Sequence, residues 1–92
     1  MGVLSVDHTL TADGETKAWN VPVSEQYMFY AVGDFGGGQL SLEASPNGGV
    51  DWFTVDQLSG SGRLIRYLVN GEIVKFCIEG STSPNVITGL RQ

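Results

Sequence analysis

Five segments in the second part of the chain alternate apolar and polar positions with a period of two: Gln39 to Ala44, Val50 to Val55, Leu64 to Val69, Ile73 to Ile78 and Val86 to Leu90. Gly, Asn, Pro and Ser cut them from one another, which is the signature of short strands joined by tight turns. Upstream, Glu25 to Val32 predicts a further strand, and Lys17 to Val21 a short one that Pro22 limits because proline gives no ladder hydrogen bond. No window carries a sustained helical period, and Ser5 to Leu10 is too brief to assign. About seven strands at such spacing predict an all-β fold, a small antiparallel β-sandwich or jelly roll, rather than βαβ units.

The turns refine this picture. Pro46-Asn47-Gly48-Gly49 joins Gln39–Ala44 to Val50–Val55 as an expected hairpin, and Asn70-Gly71 between Leu64–Val69 and Glu72–Glu79 is the strongest two-residue hairpin signal in the chain. Gly36-Gly37-Gly38 allows a bulge, a close approach of backbones or a mobile loop. Residues 1–15 are weakly patterned and are expected to form an extended N-terminal arm on a single β domain spanning residues 1–92.

The faces are as informative as the strands. Val74, Phe76 and Ile78 share one side of their strand against Lys75 and Glu79, and Val86, Thr88 and Leu90 share a side against Ile87. Glu25–Val32 differs, with Tyr27, Phe29 and Ala31 on one face and Met28, Tyr30 and Val32 on the other. Such double-sided apolar character marks a central strand or a face lying against another subunit. Val50, Trp52 and Thr54 are the expected core face of their strand, which turns Phe53 outward. Trp19 either caps the core or clamps a neighbour.

Composition narrows the function. A domain of 92 residues buries only roughly 60–65% of the surface of its unfolded chain, and the lone Cys77 allows no internal disulfide, so added stability is expected from a partner subunit. Ten acidic against five basic residues leave no basic stripe for nucleic acid. No apolar run approaches the roughly 20 residues of a membrane span, and Met1 to Leu10 lacks the basic head and apolar core of a signal peptide. A soluble chain made in a cytoplasm, contacting neither nucleic acid nor membrane, is expected.

Candidate chemistry is sparse. His8, the only histidine, has Asp7 beside it but no converging nucleophile. The glycine tract is followed by a strand pattern and no Lys, so it does not read as a phosphate loop. Asp34, Asp51 and Asp56 are oxygen donors without the spacing of a calcium loop, and Asp51, Asp56, Glu72 and Glu79 show no glycosidase pairing. Cys77 reads as an inert side chain beside Lys75. No enzyme, cofactor or metal site is expected, and the aromatic residues Trp19, Tyr27, Tyr30, Phe35, Phe53 and Tyr67 are the candidates for partner contact.

The order of the glycine tract, Gln39-Leu40-Ser41-Leu42-Glu43-Ala44-Ser45-Pro46-Asn47-Gly48-Gly49 and Val50-Asp51-Trp52-Phe53-Thr54-Val55, continued by the strands of Arg66 to Gly80 and by Ser81-Thr82-Ser83-Pro84-Asn85-Val86, resembles a pattern common in small β-rich virion proteins of tailed phages. The likeness covers roughly Gly36 to Leu90; the first 35 residues carry no part of it. Among such bacteriophage proteins the chain is similar to capsid cement or decoration proteins. That resemblance implies a non-enzymatic viral protein on the outer surface of the virion head, a homotrimer that binds the major capsid protein and braces the shell. The competing expectation is a carbohydrate- or host-surface-binding module of a tail or fibre, with Trp19, Tyr27, Tyr30 and Trp52 lining a shallow groove.

Overall fold

The computed structural model describes residues 4–92, which form strands and turns with no helix among them. Nine strands follow in order: β1 (Ser5–Leu10), β2 (Gly14–Glu15), β3 (Trp19–Asn20), β4 (Glu25–Asp34), β5 (Gln39–Ser45), β6 (Phe53–Leu58), β7 (Gly62–Leu68), β8 (Ile73–Glu79) and β9 (Asn85–Arg91). Every pairing is antiparallel.

The pairing is nested. β1 lies on β9, β2 and β3 on β8, β4 on β7, and β5 on β6, so the two halves of the chain run against each other around the loop at residues 46–52. Two further ladders roll this ribbon up: β9 also pairs with β4, and β8 with β5. The result is one sheet in the order β1-β9-β4-β7 and a second in the order β2-β8-β5-β6, with β3 also on β8.

The core lies between the two sheets. Tyr27, Phe29 and Ala31 of β4, Leu40, Leu42 and Ala44 of β5, Val74, Phe76 and Ile78 of β8, and Val86 and Leu90 of β9 are all buried. Phe29 stacks on Phe76 across the gap with ring centroids 6.0 Å apart, and Trp19 tilts onto Phe76 at 5.6 Å. Thr88 is the polar member of this inward set, and its hydroxyl donates to the Tyr30 carbonyl at 2.8 Å, which satisfies it.

The glycine tract resolves as a close backbone approach. A Cβ at Gly36, where φ is +58°, would stand 2.2 Å from the Thr82 carbonyl oxygen, and Thr82 N–H donates to the Gly36 carbonyl at 2.9 Å. Asp13 completes that end of the molecule by accepting from Gly80 and Ser81 N–H at 3.2 and 3.0 Å and from the Ser81 hydroxyl.

Four expectations change. Asn70-Gly71 is not a hairpin turn: β7 and β8 belong to different sheets because β4 and β5 take their ladders, and the segment is a corner pinned by Asn70 N–H on Ser24 Oγ and Gly71 N–H on the Val21 carbonyl. Residues 5–10 are not an arm, since β1 pairs along its whole length with β9; residues 1–3 of the expected arm lie outside the described residues. Lys17–Val21 shortens to Trp19–Asn20.

The fourth change concerns β6. The expected β5–β6 hairpin forms, with a register shift between Leu42 and Glu43, but β6 starts at Phe53, after the loop that carries Trp52. Trp52 is half-buried outside the core: its indole N–H donates to the Gly49 carbonyl at 3.1 Å and its ring lies over Lys75 Nζ at 4.1 Å.

Candidate functional site: the outer face of the four-stranded sheet

The two outer faces differ in chemistry. On the five-stranded sheet, Lys75 is paired with Glu15 at 2.9 Å and lies 3.9 Å from Glu43, and Gln57 donates to Ser41 and accepts from Gln39. Cys77 shares that side. Burial, then the carboxylates of Glu43, Glu79 and Glu15, pushes its thiol above the ordinary range, which disfavours the reactive thiolate.

On the four-stranded sheet a set of apolar side chains faces outward among polar ones. Because Tyr27, Phe29 and Ala31 fill the core, alternation turns Met28, Tyr30 and Val32 outward. The register sets Ile65 of β7 beside Met28, Tyr67 beside Gln26, and Ile87 of β9 beside Val32. Val32, Ile65, Tyr67 and Ile87 are exposed by 56, 57, 61 and 47%, in contrast to the closed core beneath. Two depressions mark this face. One, of about 510 Å³, is lined by Met28, Tyr30, Ala31, Val32, Ser61, Gly62 and Arg63; the other, of about 330 Å³, by Gln26, Tyr27, Met28, Ile65, Arg91 and Gln92.

A polar clasp stiffens the β1 side. Asp7 takes both its oxygens to Arg91 Nη2 at 2.7 Å and accepts from the Tyr30 hydroxyl, while Arg91 Nη1 donates to the Val6 carbonyl at 3.1 Å. The Arg91 and Tyr30 hydrogen bonds hold the Asp7 carboxyl below its usual range, and burial with the bond to Asp7 raises the Tyr30 hydroxyl. Gly89 makes room for the clasp: a Cβ there would stand 2.2 Å from the Val6 oxygen and 2.8 Å from Asp7 Oδ1 and Tyr30 Cε1.

The expected contact residues separate. Tyr30 and Tyr67 lie on this face together with Met28 and Val32, the alternation partners of Tyr30, and Ile65 and Ile87 join them although they are not among the expected contacts. Tyr27, 1% exposed, and Phe35, 5% exposed, are core residues whose side chains are buried, because the inward face of β4 claims the first and the closed end of the molecule the second. Trp19 is half-buried between Phe76 and His8, and Phe53 is exposed at the β5–β6 hairpin. Trp19, Tyr27, Tyr30 and Trp52 therefore line no common groove.

The other candidates are occupied locally. His8 and Asp7 are neighbours on a strand, so their side chains leave opposite faces; His8 packs edge-on to Trp19 at 6.3 Å while Asp7 holds Arg91. Asp34 accepts from Gly36 N–H at 2.9 Å, Asp51 from Asn47 Nδ2 at 2.8 Å, and Asp56 pairs with Arg66. Among the described residues no three His, Cys, Asp or Glu side chains gather as a metal site, and no helix is long and apolar enough to cross a membrane.

No protein-family model matches the chain, and no curated protein matches it.

Proposed function

We propose that this chain is a non-enzymatic adhesion protein, a small jelly roll that binds the major capsid protein of a phage head from outside and braces the shell as cement or decoration proteins do. The observation that carries the adhesive part is the apolar band of Val32, Ile65, Tyr67 and Ile87 on a sheet whose core side is already filled. Exposed apolar surface of this kind on a small domain marks a protein contact. The opposite outer face, with its ion pairs and amides, lacks that character.

The strand order supports the jelly-roll reading. With β2 and β3 taken as one interrupted strand along β8, the chain has eight strands in two sheets, paired from the ends inward and then rolled. Jelly rolls of two Greek keys occur in viral capsid and lectin domains alike, so the fold is compatible with both of the functions expected from the sequence and decides neither. The partner comes from the resemblance of Gly36–Leu90 to small virion proteins. The geometry bears on the competitor, since a glycan platform needs neighbouring exposed aromatics and the four residues expected to supply one are dispersed. Trimeric association on the head surface would let modest contacts sum into firm binding.

Cross-linking of purified particles that carry the chain, followed by peptide mass spectrometry, tests the partner. Links joining residues that border the outer face, such as Asp34, to capsid protein are expected. Links to tail or fibre proteins alone, together with binding on a glycan array, would replace this reading with the host-surface one.

A further inference from the structure

The larger depression on the outer face holds an unmatched charge. Of the basic side chains in β7, β8 and β9, Arg66 is paired with Asp56, Lys75 with Glu15 and Arg91 with Asp7, whereas Arg63 has no carboxylate partner among the described residues. It borders a depression whose other walls are largely the apolar side chains of Met28 and Val32 and the Tyr30 ring. Such a site fits an aliphatic side chain carried next to a carboxylate.

The same chain displays that combination elsewhere. Val50, at 78% the most exposed large apolar residue among the described ones, stands beside exposed Asp51 in the loop between β5 and β6. The loop is held in shape: Asp51 N–H donates to Asn47 Oδ1 at 2.9 Å, Gly49 N–H to Ser45 Oγ at 2.8 Å, and Asp51 Oδ1 keeps its acceptor capacity while Oδ2 takes Asn47 Nδ2. Among the described residues nothing covers most of Val50.

Projection and depression lie far apart. The loop follows Ser45, which pairs with Ile73 at one end of the five-stranded sheet, whereas the Arg63 depression sits toward the Asp34–Asn85 end of the other sheet. One copy cannot join them, so a contact between them would use a second copy. We propose that the chain associates head to tail, with Val50 and Asp51 of one copy seated against Met28, Val32 and Arg63 of the next. A heterologous contact of this type closes into a ring when its rotation permits and otherwise runs on as a filament. The inference rests on the adhesive reading of the outer face and assigns part of that face to the chain itself.

Sedimentation of the purified chain at micromolar concentration, without any shell, tests it. Wild type is expected above the mass of one chain. Arg63→Asp and Asp51→Arg should each weaken association about tenfold or more, and the double exchange Arg63→Asp with Asp51→Arg should recover it, which separates a lost contact from a lost fold. An equimolar mixture of Val50→Asp, with its depression intact, and Arg63→Asp, with its projection intact, should stop at a dimer. Association indifferent to all of these changes would overturn the head-to-tail contact while leaving shell binding standing. A wild-type chain that stays monomeric would overturn it too, and the cross-links in particles would still decide the adhesive reading separately.

Discussion

At the scale of single residues, Gly89 is the position where the outer face depends most on the absence of a side chain. Tyr30 crosses over it to reach Asp7, and any Cβ there meets backbone oxygen at 2.2 Å, which no rotamer change relieves. Gly89→Ala is expected to cost about 1–3 kcal/mol in urea unfolding, as overpacking does, whereas Gly60→Ala, with open space around it, should stay within about 0.5 kcal/mol. Equal losses at both positions would show that the clasp does not constrain the sheet.

Two carboxylates give the residue scale a pH dependence. Asp7 is held below its usual value by Arg91 and then Tyr30, and Asp13 by the Ser81 hydroxyl and then the Ser81 backbone. Depressed folded-state values mean that the unfolded chain binds protons first as pH falls. Their stabilisation is complete above the unfolded value near 3.8 and is lost as pH drops through the lower folded values. The urea midpoint should therefore hold steady from neutral pH to about 5 and fall below about 4, and Asp13→Asn should flatten that fall. A midpoint that rises on acidification would contradict the assignment.

At the scale of elements, the two sheets are held together by the stack of Phe29 on Phe76. Truncating either ring to Ala is expected to cost about 3–5 kcal/mol, and the double variant less than the sum, because the two cavities merge. This inter-sheet pair shows what sequence does and does not carry. Alternation alone puts Val74, Phe76 and Ile78 on a core face, where they are found, and groups Val86, Thr88 and Leu90 opposite Ile87, a side that proves to be the buried one. It failed for β1, where His8 sits between Val6 and Leu10 on the inward side and breaks the apolar period at an open edge. Asn70-Gly71 misled for a different reason: a hairpin and a corner between sheets use the same turn residues, and only the distant partners β4 and β5 decide between them.

The candidate site was legible to the same extent. Double-sided apolarity on β4 points to a covered face but does not say which side is core, so the expected contacts group Tyr27 with Tyr30 although one is buried and the other is not. Ile87 meets Val32, and Ile65 meets Met28, only once the ladders set three strands side by side. Phe35 is a local case, an aromatic residue in a glycine tract that the tight Gly36–Thr82 approach folds inward.

At the scale of the whole molecule, the core lies between a polar outer face and one that exposes Val32, Ile65, Tyr67 and Ile87. The outer face of the four-stranded sheet is the surface proposed to meet other protein. Hydroxyl-radical footprinting measures this most directly, comparing dilute chain with chain in assembled particles, with Tyr67 and Met28 reporting the apolar face and Cys77 the opposite one. Tyr67 and Met28 should lose most of their reactivity on assembly while Cys77 keeps its own. Unchanged labelling of Tyr67 and Met28, with protection appearing at Cys77 instead, would contradict the account.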